Sequence, residues 1–128
     1  MLVVYDSLTG NVDRFTRKLD MNRTRISEGL LVKEPYILIT YTIGFGEVPE
    51  SVSDFLSRNA SYMRGVAASG NKVWGSNYGK AAERISEAYD VPLLLKFELG
   101  GTDQDARILK EEVKALYERA DTKMAEVK

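Results

Sequence analysis

The stretch Leu2-Val-Val-Tyr-Asp-Ser-Leu-Thr-Gly-Asn11 decides how the chain folds. Leu2–Tyr5 is a short unbroken apolar run, the pattern of a parallel strand covered on both faces. Val12, Phe15 and Leu19 follow at helical spacing, so a helix is expected from about Gly10 to Leu19. Between strand and helix stand two hydroxyls, a glycine and an asparagine, with no lysine or arginine. A helix N-terminus presents unpaired N–H groups and partial positive charge, and can bind a phosphate without a cation. Ser7 and Thr9 add hydroxyls, Gly10 admits close backbone approach, and Asn11 offers its amide. The plainer reading is that Thr9 or Asn11 merely caps the helix. The spacing is neither a P-loop, which needs a lysine, nor a G-x-G-x-x-G fingerprint.

Outward from this stretch, the chain alternates strand and helix. Thr24–Ser27 reads as a short second strand, with Gly29 in the loop after it. Pro35–Tyr41 is the strongest strand signal, β-branched and aromatic on both faces, and it runs into Thr42-Ile-Gly-Phe-Gly-Glu47. Pro49 opens a helix whose buried stripe is Val52, Phe55 and Leu56. Gly65–Ser69 reads as a small-residue strand ending in Gly70-Asn-Lys-Val-Trp-Gly75. Ala81, Ala82, Ile85 and Ala88 mark a helix stopped before Pro92, and Leu93–Leu99 is the last strand. After Gly100-Gly101-Thr102, the last helix carries Leu109, Val113, Leu116 and Tyr117, with Asp103 and Asp105 at its positive end. Such alternation implies a parallel sheet with right-handed crossovers. A single domain is expected over residues 1–120, with a frayed tail over 121–128.

Composition narrows the chemistry. The 128 residues, 44% of them hydrophobic, suffice for one core. There is no cysteine, which excludes disulfides, thiolate catalysis and cysteine-bound metal, and no histidine, which excludes Ser-His-Asp catalysis and the commonest metal ligand. No catalytic side chain and no metal site of the chain's own are expected; a reactive group would be borrowed. The net charge is −1, with no Lys/Arg cluster to track nucleic acid. With no membrane-spanning run and no signal-peptide pattern, a cytoplasmic, monomeric protein is expected.

The loops after the first, third, fourth and fifth strands are rich in Gly, Ser, Thr and Asn, and all lie at strand carboxyl ends, where open doubly wound sheets bind ligands. Gly44 and Gly46 flank Phe45, giving a backbone that could lie flat on a planar ligand; the alternative is a flexible loop whose Phe45 folds back into the core. Trp74, the one tryptophan, lies in a Gly/Asn/Ser loop with Asn71 and Tyr78 nearby. Stacking on an aromatic ligand explains that placement; sealing the core is the alternative. Three such loops converge on one crevice.

Taken in order, Tyr5-Asp-Ser-Leu-Thr-Gly-Asn11, Thr40-Tyr-Thr-Ile-Gly-Phe-Gly46 with Val48-Pro49, Gly65-Val-Ala-Ala-Ser-Gly-Asn71, Trp74-Gly75, Tyr78-Gly79, Val91-Pro92 and Lys96-Phe-Glu-Leu99 with Gly101-Thr102 resemble NrdI. That family comprises the small flavodoxin-like proteins of class Ib ribonucleotide reductases, and the resemblance is strongest to its Bacillus-type members. It implies a flavodoxin-like, doubly wound, five-stranded parallel sheet of strand order 2-1-3-4-5 with helices on both faces. It also implies FMN as cofactor, an unidentified reductant, and reaction of the reduced flavin with O2. The oxidant, taken to be superoxide, reaches the dimanganese site of the reductase small subunit, where a tyrosyl radical forms. Carried over residue by residue, Ser7, Thr9, Gly10 and Asn11 hold the phosphate, with Leu8 and Val12 as cofactor-binding residues beside them. Thr40, Tyr41, Thr42, Gly44, Phe45 and Gly46 contact the ring, and Asn71, Trp74, Gly75 and Tyr78 close its other side. The Gly44–Phe45 peptide is the candidate for a redox-linked flip. The rim around Phe45, Glu47, Trp74 and Asn77 is the expected docking face.

Two departures from ordinary flavodoxins matter. Val12 stands where those proteins usually have threonine, and the ring loop is short, leaving the flavin edge open. A generic electron-transfer flavodoxin is the first alternative. A receiver domain of the same topology is a second, but it needs an aspartate where Thr40-Tyr41-Thr42 stand, and Asp6 alone makes no acidic magnesium pocket. A purely structural interaction domain is the third.

Overall fold

In the computed structural model, which describes residues 1–127 and side chains to residue 119, five strands form one wholly parallel sheet. The elements are β1 (Leu2–Tyr5), α1 (Asn11–Lys18), β2 (Arg23–Arg25), β3 (Tyr36–Tyr41), α2 (Glu50–Asn59), β4 (Met63–Gly70), α3 (Lys80–Tyr89), β5 (Leu93–Glu98) and α4 (Asp103–Val127). The strand order is β2-β1-β3-β4-β5, as the family resemblance implies. From the central β1–β3 pair the chain winds outward in opposite directions. The loops that follow β1 and β3 therefore part and leave a crevice between them.

Alternate residues of each central strand serve opposite faces, so the apolar runs build two cores. On one face Val3, Ile37, Ile39, Ala67 and Phe97 pack under α1 and α4 through Val12, Phe15, Leu19, Ala106 and Leu109. Phe15 and Phe97 stack with centroids 3.9 Å apart. On the other, Val4, Leu38, Val66 and Ala68 pack under α2 and α3 through Val52, Phe55, Leu56, Ala81, Ala82 and Ile85. Each of the buried Val, Leu, Ile and Phe side chains stabilises the fold by about 1.5–3 kcal/mol. Ala88, expected on the α3 stripe, is exposed.

The differences from expectation lie at element ends. β2 is Arg23–Arg25, not Thr24–Ser27. It is a three-residue edge strand placed by pairing Val3 with Arg23 and Tyr5 with Arg25, not by apolar content. β4 extends back to Met63 and forward to Gly70. The 26–35 connection is tied down by Asn59, whose amide accepts from Val32 N–H (2.8 Å) and donates to the Leu30 carbonyl (2.9 Å). The tail expected over 121–128 falls where side chains, and residue 128 altogether, lie outside the described residues. No helix among the described residues is long and apolar enough to cross a membrane.

Candidate functional site

β1 delivers Ser7 to the carboxyl edge of the sheet, and a carboxylate fixes it there. Asp6 Oδ1 accepts the Ser7 N–H (2.8 Å), Ser51 Oγ of α2 donates to Oδ2, and Arg25 of β2 pairs with Oδ1 at 3.6 Å. Ser7 is buried, and its Oγ accepts the Asp13 N–H at 3.3 Å. The α1 N-cap is Gly10 at φ 89, which has no side chain of its own to cap the helix, and the Ser7 hydroxyl takes the Asp13 N–H instead. The capping alternative for Thr9 and Asn11 therefore fails: Thr9 is exposed, and Asn11 Oδ1 accepts from Arg14. The loop carries no cation of its own, yet folding brings two guanidiniums to it. Arg25 donates to the Ser7 carbonyl, and Arg14 reaches Asn11.

After β3 the chain makes a tight hairpin, Ile43 N–H to Glu47 carbonyl at 3.1 Å and Glu47 N–H to Ile43 carbonyl at 2.7 Å. Positive φ at Gly44 (54°) and Gly46 (92°) closes it, a backbone that suits glycine. Phe45 at the tip is 83% exposed, so it does not fold back into the core. One side of the hairpin is fixed: Arg84 Nε donates to the Gly46 carbonyl at 2.7 Å. Just before the hairpin, Thr42 is 6% exposed and its Oγ1 has no hydrogen-bond partner among the described residues. A buried hydroxyl without a partner is costly and calls for an explanation.

β4 supplies the third wall. Ser69 Oγ donates to the Leu99 carbonyl (2.7 Å), and Leu99 N–H donates to the Gly70 carbonyl (3.0 Å). Leu99 is held at φ 52, left-handed for a branched residue, at a cost of about 1–2 kcal/mol. Asn71 Oδ1 accepts the Val73 N–H (3.1 Å) and starts the short helical turn Lys72–Asn77, which breaks at Gly75 (φ 56, ψ −122). Trp74 is 43% exposed and so does not seal the core. Tyr78 packs against Gly70, and burial pushes its phenol above the usual range, with Asp105 and Glu98 adding to the effect.

These walls enclose a cleft of about 200 Å³ lined by Ser7, Leu8, Thr9, Asn11, Val12, Tyr41, Thr42, Ile43, Ser69, Gly70, Asn71, Trp74 and Leu99. Of the expected residues outside that lining, Gly10 caps α1 and Thr40 is buried with its hydroxyl on the Tyr41 carbonyl (2.9 Å). Gly44, Phe45 and Gly46 form the hairpin that leaves the cleft at Ile43, while Gly75 and Tyr78 flank Trp74. Ile43, Ser69, Gly70 and Leu99 were not anticipated. Ser69 and Leu99 read as strand residues, and the turn at Leu99 is set by a hydrogen bond to β4 that spacing cannot reveal.

The family model described as "NrdI Flavodoxin like" matches residues 3–111. The chain belongs to the NrdI flavodoxin-like family. It is 49% identical over 127 residues to Protein NrdI of Bacillus licheniformis, covering 98% of this chain and 97% of that protein. It is 47% identical over 126 residues to the SPbeta prophage-derived protein NrdI of Bacillus subtilis, covering 95% and 97%. Among solved structures, a short-chain flavodoxin associated with a bacterial microcompartment matches with TM-score 0.71 at 20% identity, over 93% of this chain and 97% of that one. Fusobacterium nucleatum flavodoxin bound to flavin mononucleotide matches with TM-score 0.62 at 15% identity, over 92% and 96%. At those identities the likeness concerns the fold.

In this member of the NrdI family a charged network lies beneath the first loop. Asp13 Oδ1 accepts from Tyr5 OH (2.8 Å) and Arg23 Nη1 (2.8 Å), and Oδ2 accepts from Arg17 Nε (3.1 Å). The Tyr5 and Arg23 bonds hold the Asp13 carboxyl down to about 2. The network ties edge strand β2 to α1 and so steadies the helix end that the cleft uses. Sequence reasoning missed it, because Asp13 and Arg23 meet only once β2 is paired.

Proposed function

We propose that the cleft holds FMN and that the chain activates the small, dimanganese and tyrosyl-radical subunit of class Ib ribonucleotide reductase. The Thr42 hydroxyl carries the reading: it is buried, without a hydrogen-bond partner among the described residues, and it lines a cleft that also takes in the N-terminus of α1, capped by glycine. A planar ring bearing hydrogen-bonding atoms at one end and a phosphate at the other answers both features. Ser7, Leu8, Thr9, Gly10, Asn11 and Val12 are the phosphate side. Thr40, Tyr41, Thr42, Gly44, Phe45 and Gly46 are the ring side, and Asn71, Trp74, Gly75 and Tyr78 close the far face.

When bound there and reduced, FMN would supply the one-electron reduction of O2 to superoxide, the oxidant for the metal subunit. A separate reductant supplies the flavin's electrons. The protein's own part is to bind, orient and expose. The bond from Arg84 to the Gly46 carbonyl holds one side of the hairpin, and Gly44 leaves the Gly44–Phe45 peptide free to turn over. The rim of Phe45, Glu47, Trp74 and Asn77 is the docking face, since an oxidant made at the ring leaves there. The protein acts in the cytoplasm as a monomer outside that complex.

The test mixes FMN-loaded, reduced protein and O2 with the manganese-loaded small subunit and follows the tyrosyl radical by EPR. Radical formation that depends on this protein is the expected result. Bound FMN without any radical would reduce the chain to an electron carrier.

A further inference from the structure

We propose that Arg14 is a phosphate ligand of the cleft, its guanidinium supplying the cation that the 7–11 loop lacks. The inference rests on the FMN reading above and assigns a residue that reading leaves out. Helical side chains lean toward the helix N-terminus, so a long one in the first turns of α1 reaches back over the loop. Arg14 does so: its Nη2 donates to Asn11 Oδ1. A Cβ placed on Gly10 would stand 2.9 Å from Arg14 Nη1, and one on Gly100 3.7 Å from Nε. The guanidinium thus spans the seam between the loop after β1 and the turn after β5, and Gly10 is what leaves it room.

Charge accounting points the same way. Of the four arginines on α1 and β2, Arg17 and Arg23 pair with Asp13 and Arg25 with Asp6, whereas among the described residues Arg14 pairs with no carboxylate. Its partner Asn11 lines the cleft. With Oδ1 held by the guanidinium, the donor end of that amide is the end left for an anion. At the helix end, the Asp13 N–H goes to Ser7 Oγ and the Arg14 N–H to the Gly10 carbonyl. The N–H groups of Asn11 and Val12 are then those a helix leaves for an outside acceptor. Backbone donors, an amide and a planar guanidinium fork match the tetrahedral oxygens of a phosphate monoester.

Dissociation constants of FMN and riboflavin, read from Trp74 fluorescence for the wild type, R14Q and R14K, test this. The two ligands differ only in the phosphate. R14Q should bind FMN about tenfold more weakly with riboflavin affinity unchanged, and its FMN affinity should depend less on salt. R14K, keeping the charge without the fork, should fall between and retain the salt dependence. R14Q with an unaltered FMN-to-riboflavin ratio overturns the assignment, as does equal loss for both flavins, which marks a merely structural arginine. A wild type that binds neither flavin overturns the FMN reading and takes this assignment with it. A wild type that binds FMN as R14Q does overturns this assignment alone.

Discussion

Replacing Thr42 by valine should stabilise the cofactor-free protein, weaken cofactor binding, and so leave the cofactor-bound protein about as stable as wild type. The side chain is 6% exposed, and its Oγ1 has no hydrogen-bond partner among the described residues. Leaving a buried hydroxyl unsatisfied costs about 1–3 kcal/mol, and valine offers nearly the same shape without the polar atom. With part of that cost relieved by the open cleft beside it, the cofactor-free T42V protein should be about 1 kcal/mol more stable than wild type. For a domain of this size that is a rise of about 3–5 °C in Tm. With FMN bound the hydroxyl has a partner, worth about 1 kcal/mol, so the variant should bind FMN about fivefold more weakly. Its cofactor-induced rise in Tm should shrink accordingly. Differential scanning calorimetry with and without FMN, together with a binding titration, measures both. A T42V protein destabilised without cofactor, or one with unchanged FMN affinity, would refute the reasoning.

Three further outcomes follow from the geometry. Gly75 sits at φ 56 and ψ −122 with open space where a Cβ would go, so G75A isolates backbone strain and should cost about 1–3 kcal/mol in urea melts. A loss below about 0.5 kcal/mol would show that alanine accepts this conformation. The Asp13 carboxyl, held at about 2 against an ordinary 3.8, stabilises the fold fully above about pH 4 and progressively less as pH falls toward 2. D13N should therefore flatten the acid limb of stability by on the order of 1–2 kcal/mol after allowance for solvent around the pair; an unchanged limb contradicts the network. Phe45 is 83% exposed, so F45A should leave stability within about 0.5 kcal/mol of wild type while radical yield on the reductase subunit falls severalfold. Unchanged yield removes Phe45 from the docking face.

Most of the architecture was legible because buried parallel strands must be apolar on both faces. Pro35–Tyr41 announces β3, and helical spacing announces α1 through Val12, Phe15 and Leu19. β2 was less legible, since Arg23–Arg25 has no apolar pattern and is placed by its pairing with β1. The cleft was legible at its Gly, Asn and hydroxyl residues, whose types match what a phosphate or ring needs. It was opaque where long-range pairing does the work. Leu99 enters the cleft through a turn made by its hydrogen bond to Gly70, and Asp6 organises the first loop through Ser51 and Arg25. The absence of lysine and arginine from residues 7–11 read as a cation-free cradle. The fold returns Arg14 and Arg25 to that loop from outside it.

The central claim is that FMN sits in this cleft beside Trp74, and Trp74 is the only tryptophan of the chain. Titrating FMN into cofactor-free protein while following tryptophan emission tests it without recourse to the reductase. Quenching of Trp74 that saturates at one FMN per chain is the predicted result. Absence of binding, or binding that leaves Trp74 emission unchanged, would contradict it.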